Sequence, residues 1–212
     1  MTKKLAKSVI SQRRVLDAAA KIFRDYGYAG TTMRVIADEA NLKAGSIYYY
    51  YKSKDELISA VLDVGIHSVI DSVKAAMDAL PPDASGRMKV ETAIRAHLSA
   101  IIENGDYTLA TRRVAGQVPD AIREQNMRLR NSYATMWQSI LVEAQQNGEF
   151  RKDANVTFAR LFILGALNWV VEWYKPGGRS IDDVARSFSS TVIDGLANPE
   201  ALRLPELEAA LA

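Results

Sequence analysis

Cysteine is absent from the 212-residue chain, which excludes disulfides, thiolate metal sites and a cysteine nucleophile together. Histidine is scarce. The only two, His67 and His97, stand 30 residues apart, and no HExxH, nucleophile elbow, Walker loop or GxGxxG accompanies them. Both are expected to be surface or hydrogen-bonded helix histidines, and no catalytic role is expected of Glu172 beside Trp173. No enzymatic centre, metal site or cofactor is therefore expected. Long apolar runs are missing too: the longest, Leu161 to Val171, has 11 residues and includes Asn168, against the roughly 20 a membrane span needs. After Met1 the basic Lys3 and Lys4 lead to Lys7, Ser8, Gln12, Arg13 and Arg14 with no signal-length hydrophobic stretch. The expected location is the cytoplasm, with no membrane partner.

What is present is an ordinary folding composition, 48% apolar and 25% charged, with 12 Gly and 6 Pro. The net charge of +2 conceals an asymmetry. Residues 1–60 hold 11 Lys and Arg against 6 Asp and Glu, a charge of +5, and the remainder holds 16 against 19, a charge of −3. A basic head on a mildly acidic body suits contact with a polyanion, because Lys and Arg near phosphates release condensed counterions. A merely solvated basic face has the same charge signature.

No proline precedes Pro81, so the first eighty residues read as helices joined by tight turns. Val15, Ala19, Ile22, Phe23 and Tyr26 recur at three and four, and Gly27 stands where a left-handed C-terminal cap belongs. Thr31 and Thr32 are N-cap candidates for a short helix carrying Met33, Ile36, Ala37 and Ala40, which Asn41 ends. Lys43 to Tyr50 form a third short helix. Ser53-Lys-Asp-Glu56 is a capping box for a long fourth. Beyond Pro81-Pro82, five more helices are expected: Met88 to Ile102, Tyr107 to Val118, Pro119 to Gly148, Asn155 to Trp173, and Ser180 to Leu196. No segment alternates with period two. The fold class is all-α, about nine helices, with a three-helix head and a larger helical body.

Two short helices joined by a tight turn, with a third packed across them, make a helix-turn-helix whose second member enters the DNA major groove. The segments Val15-Leu-Asp-Ala-Ala-Ala-Lys-Ile-Phe-Arg-Asp-Tyr-Gly27, Thr31-Thr-Met-Arg-Val-Ile-Ala-Asp-Glu-Ala40 and Gly45-Ser-Ile-Tyr-Tyr-Tyr-Tyr-Lys-Ser-Lys-Asp-Glu-Leu57 closely resemble the DNA-binding domain of the TetR family of bacterial repressors. The resemblance implies a DNA-binding domain over 9–69, with the helix-turn-helix about 32–51, and a ligand-binding and dimerisation domain over 70–198. It further implies a homodimer on double-stranded DNA with an inverted-repeat operator, released by a small apolar effector. Helix four would be the lever joining the two domains.

Carried over by position, Lys43, Ala44, Gly45, Ser46, Tyr48, Tyr49 and Tyr50 are the expected recognition helix. Ala44 and Gly45 keep its start slim, and Ser46 can donate to a phosphate or base edge. The Tyr49 ring suits a thymine methyl, and the Tyr48 and Tyr50 hydroxyls reach phosphates. Lys54 matches the family's phosphate clamp, with Thr32 and Arg34 anchoring the flanking strand. Tyr51, and with it Ile47, is expected in the core. Three departures from the family pattern stand here: Asn41 replaces the turn Gly, Lys43 the capping Ser or Thr, and Ala44 the usual basic residue. The missing cap is worth about 1 kcal/mol.

In the body, the expected dimer surface is Phe158, Leu161, Leu164, Gly165, Phe188, Val192 and Leu196, paired as a four-helix bundle. Gly148-Glu-Phe-Arg151 and Gly165 to Gly178 resemble the C-terminal domain of TetR-type regulators of fatty-acid and steroid catabolism, whose effectors are acyl-coenzyme A thioesters. That resemblance implies an acyl tunnel lined by Tyr133, Trp137, Phe162 and Trp169. The nucleotide phosphates would meet Arg112 and Arg113, with Arg123, Arg128 and Arg130 as further candidates. Two other functions share this sequence pattern: control of an efflux pump by drug-like aromatics, and a DNA-organising role without regulation.

Overall fold

A computed structural model describes residues 2–175 and 177–197. Among them are nine α-helices and no strand: α1 (Thr2–Tyr26), α2 (Met33–Glu39), α3 (Ala44–Tyr50), α4 (Lys54–Asp78), α5 (Gly86–Glu103), α6 (Gly105–Val114), α7 (Asp120–Gln146), α8 (Val156–Trp173) and α9 (Ile181–Leu196). The only β-type pairing among the described residues is an isolated bridge between Phe150 and Ala197. The all-α architecture is as expected from the sequence.

Helix ends follow side-chain chemistry. Gly27 stops α1 at φ +69°, a conformation that favours glycine because a Cβ there crowds the following carbonyl. A Cβ would also lie 2.7 Å from Gln117 Oε1. The Asn155 and Ser180 side chains accept from Phe158 N and Asp183 N at 3.1 Å, capping α8 and α9. Some boundaries differ from the expected ones. Pro119 lies just before α7, its carbonyl accepting from Ile122 N and Arg123 N, and α6 spans Gly105–Val114. α1 begins at Thr2, well ahead of the apolar pattern from Val15.

The chain forms two compact units. The first comprises residues up to Ser68 with Glu103–Arg130. Its core joins Val15, Ala19, Phe23, Ile36, Ile47, Leu57, Ile58 and Val61 to Tyr107, Ala110 and Val114 of α6. Each large apolar side chain buried there contributes about 1.5–3 kcal/mol. Polar contacts reinforce the attachment of α6. Tyr107 donates to Asp17 Oδ1 at 2.6 Å, Arg24 pairs with Asp106, and Gln117 Oε1 accepts from Ala29 N at 3.2 Å. Residues 103–130, which the resemblance assigns to the domain over 70–198, pack in this unit. Apolar spacing shows that α6 has a buried face but not which helix covers it.

The second unit comprises Val69–Ile102 and the chain from Asn131. Val90, Ile94, Leu98 and Ile101 of α5, Trp137, Ile140 and Leu141 of α7, and Ile163, Leu167 and Val170 of α8 are buried, with Val184, Val192 and Ile193 of α9. α8 is by length and composition apolar enough to span a membrane, more so than its 11-residue run suggests. Ile163, Leu167 and Val170 are nevertheless buried in this unit, as in a helix of a globular core that keeps a second, exposed apolar face.

Candidate nucleic-acid interface

The turn between α2 and α3 is built from local hydrogen bonds. Thr32 caps α2, its hydroxyl accepting from Val35 N at 3.3 Å. At the other end Leu42 N donates to Ala37 O and Asn41 N to Asp38 O, at 2.9 and 3.0 Å. This is a Schellman closure, with Asn41 at φ 54° in place of glycine. From α1, Arg14 Nη2 donates to Ala40 O at 2.8 Å, placing a cation on the negative end of α2. Lys21 of α1 pairs with Glu39 at 2.6 Å.

α3 starts after Lys43, which makes no side-chain cap, as its departure from Ser or Thr implies. Ile47 and Tyr51 are buried, and Lys43, Ala44, Gly45, Ser46, Tyr48 and Tyr49 are exposed. Tyr49 is 73% exposed. Tyr50 is half-buried and meets Tyr49 edge to face, ring centroids 5.1 Å apart. No atom lies within 4 Å of the place a Gly45 Cβ would occupy, so the fold itself has room for a larger residue there.

At the start of α4, Ser53 Oγ accepts from Glu56 N at 3.1 Å, and Glu56 reaches back to Lys52 N at 2.7 Å. The box thus closes one residue earlier than its usual reciprocal form. Lys54 Nζ donates to Tyr28 O and Thr31 O at 2.8 and 3.1 Å and lies 4.1 Å from the centre of the Tyr28 ring. Two of its three N–H groups hold the loop before α2. Burial, then the hydrogen bond to Asp55, pushes the Tyr28 hydroxyl up to about 12, so it stays a neutral donor. No sequence signal announced this Lys54–Tyr28–Asp55 cluster, nor the Arg14 bond. Arg34 is exposed on α2.

The effector residues expected from the sequence fall on α6, α7 and α8. Tyr133 and Trp137 of α7 are buried side by side, rings edge to face at 6.5 Å, whereas Phe162 and Trp169 of α8 are 64% and 55% exposed. Phe162 lines an open apolar pocket together with Phe158, Ile163 and Val192. Arg112 and Arg113 lie on α6, with the head residues, and Arg123 pairs with Asp120 at 2.7 Å. Of the expected dimer residues, Phe158, Leu161 and Gly165 are exposed and Leu164, Phe188 and Leu196 half-buried. Val192 is buried in its own unit, and lines a pocket with Phe158 and Leu196.

Exposed His67 keeps Nδ1 2.8 Å from Asp63 O, but His97 is buried against Tyr133, Nδ1 2.8 Å from its hydroxyl. Burial lowers His97 to about 4, despite an opposing influence of Asn168. An unfolded histidine titrates near 6.5, so the unfolded chain takes up the proton first and stability falls as pH drops from 6.5 to 4. The expected loss approaches about 3 kcal/mol. Urea midpoints at pH 7 and 4.5 check it: His97→Gln should show a smaller drop than the parent, and equal drops would contradict the assignment.

A capped helix, a left-handed turn and a second helix with an exposed polar and aromatic face define a DNA-binding regulator of the helix-turn-helix class. Residues 15–61 match the family model for bacterial regulatory proteins of the tetR family, and residues 83–196 that for the tetracyclin repressor-like C-terminal domain. The chain belongs to the TetR family of transcriptional regulators, DNA-binding repressors rather than enzymes. It is 30% identical to the HTH-type transcriptional repressor KstR2 of Mycolicibacterium smegmatis over 189 residues, 88% of this chain and 90% of that protein. The structure of the ketosteroid transcriptional regulator KstR2 of Mycobacterium tuberculosis superposes with a TM-score of 0.79, at 23% identity, covering 88% of this chain and 95% of that one. AibR in complex with isovaleryl coenzyme A and operator DNA superposes with a TM-score of 0.74, at 21% identity, covering 85% and 97%.

Proposed function

We propose that two copies of the chain bind an inverted-repeat operator through their α3 helices and release it when an acyl-coenzyme A thioester of lipid or steroid breakdown enters the body. The observation that carries the DNA part is the exposed start of α3. A helical Gly costs up to about 1 kcal/mol relative to Ala, and nothing in the fold needs Gly45 to be small. Close approach of a groove gives its size a purpose. Ser46, Tyr48 and Tyr49 then face base edges and phosphates, with Tyr50 supporting Tyr49. Lys43 carries the charge that usually stands one residue later. The third N–H of Lys54 takes a phosphate at the N-terminus of α4, and Thr32 and Arg34 hold the flanking strand.

Dimerisation is supported by the row of exposed Phe158, Leu161, Phe162, Trp169 and Trp173 on α8. Scattered apolar side chains are normal on a surface, but five large ones along one helix mark an interface. The acyl-coenzyme A reading is supported by the coenzyme A thioester held by AibR and by the likeness to the KstR2 repressors. Tyr133 and Trp137 are its proposed contacts within the body. A thermal-shift screen of dodecanoyl-coenzyme A against dodecanoic acid tests it. A ligand at a hundred times its dissociation constant adds about 2.7 kcal/mol, which is expected from the thioester and not from the free acid. Stabilisation by flat aromatic drugs alone would replace this effector class.

A further inference from the structure

The positive charge of the head lies outside the part that packs. Residues 15–60 hold six Lys and Arg against six Asp and Glu, a net charge of zero. The whole excess of +5 is therefore carried by residues 1–14, which hold Lys3, Lys4, Lys7, Arg13 and Arg14 and no acid. Among the described residues the buried core begins only at Val15, and Ile10 before it is 61% exposed. The helix nevertheless runs from Thr2, so that the stretch ahead of Val15 extends for about 20 Å. A helical segment of this length, rich in one charge and placed ahead of the core, has no evident part in folding.

Within the packed part of the head, much of the positive charge is answered by acids of the same chain. Lys21 pairs with Glu39, and Arg24 with Asp25 and Asp106. At the end of the basic segment Arg13 pairs with Asp17 at 3.0 Å, and Arg14 holds Ala40 O at 2.8 Å. Arg14 thereby marks the face of α1 that meets the end of α2, beside the turn that leads into α3. Lys7 and Lys3 stand seven and eleven residues before Arg14. At 3.6 residues per turn these spacings return to within about 20° of the same face. The lysine positions thus continue, toward the start of α1, the side that borders the helix-turn-helix.

We infer that the start of α1 is a second DNA-binding element, in which Lys3, Lys4 and Lys7 meet phosphates of the duplex flanking the half-site that α3 reads. Phosphates suit it better than bases. An ammonium binds as a point charge and lacks the planar fork that matches a base edge, and residues 1–12 contain no Arg of the kind that enters a narrow minor groove. The segment supplies affinity without sequence preference, and α3 supplies the preference. This rests on the operator reading above and adds to it the element that provides a large part of the electrostatic attraction.

The test varies the DNA as well as the protein. Lys3, Lys4 and Lys7 are replaced together by Gln, which keeps the helix propensity, and anisotropy follows parent and variant from 50 to 200 mM salt. The duplexes are an inverted repeat recovered by in vitro selection, the same repeat trimmed of its flanks, and a scrambled sequence. Three contacts per copy are expected to lower the slope of log affinity against log salt by up to about 5 per dimer, so that across this range the parent loses up to about 10³-fold more affinity than the variant. The weakening should be alike on the repeat and the scrambled duplex, leaving their ratio unchanged, with melting as in the parent. Trimming the flanks should weaken the parent and hardly affect the variant. A slope change below about 1 overturns the inference, and so does a parent indifferent to the trimming, a comparison that needs no variant. Either result leaves the operator reading standing. Failure of the parent to prefer any inverted repeat overturns that reading and this inference with it.

Discussion

Replacing Phe158 and Phe162 together by Glu is expected to convert the protein to a monomer and to abolish specific operator binding. The two rings are 70% and 64% exposed, so within the chain they support little, and helix content and melting of the monomer should hardly change. In the proposed dimer each ring contributes about 1.5–3 kcal/mol of burial, counted on both copies. Four carboxylates brought into the same face then add an uncompensated desolvation cost. A loss of several kcal/mol moves a submicromolar dimer into the monomeric range. A monomer holding one half-site also loses the intramolecular second contact, worth about 10²–10⁴ in affinity. Sedimentation equilibrium and anisotropy on an inverted-repeat duplex check both effects. An unchanged dimer with unchanged affinity would remove α8 from the interface.

Lys54→Ala is expected to weaken binding to every DNA sequence and to lower stability as well. Its Nζ holds the carbonyls of Tyr28 and Thr31, and hydrogen bonds from a charged donor contribute about 1.5–3 kcal/mol. Losing them loosens the loop that presents α2. Losing the remaining contact removes one phosphate per copy, so the slope of log affinity against log salt should fall by about 1.8 per dimer. Lys54→Met keeps the aliphatic stem over the Tyr28 ring and should show the same salt slope with a smaller stability loss. Tyr49→Ala, at an exposed position, should instead spare stability and relax base preference. A stability loss with an unchanged salt slope would make Lys54 purely structural.

What the sequence revealed best was whatever is decided locally. Thr32, Asn41, Gly27 and Ser53 act through hydrogen bonds within a few residues, so the residue type and its offset were sufficient. The uncapped Lys43 was legible for the same reason. Orientation of helices apolar on several sides was not. α8 carries Phe and Trp on one side and Ile163, Leu167 and Val170 on the other, and periodicity alone cannot say which side its own chain covers. Phe162 and Trp169, named for a ligand tunnel, are exposed on the single chain, and Val192, named for the dimer surface, is buried there. The cross-helix bonds of Arg14, Lys54 and His97 join residues 26, 23 to 26 and 36 positions apart. Nothing in the linear pattern marks such pairs.

Release of operator by a thioester tests the proposed function most directly. A duplex carrying an inverted repeat recovered by in vitro selection is bound, and its fluorescence anisotropy is followed as dodecanoyl-coenzyme A or dodecanoic acid is added at fixed salt. An effector can shift the DNA equilibrium only by its differential affinity for the released and bound conformations. Binding about 10³-fold or more tighter than to a scrambled duplex, lost on adding the thioester and retained with the free acid, is the expected result. Sequence-indifferent binding, or a complex untouched by the thioester at saturating concentration, would contradict it.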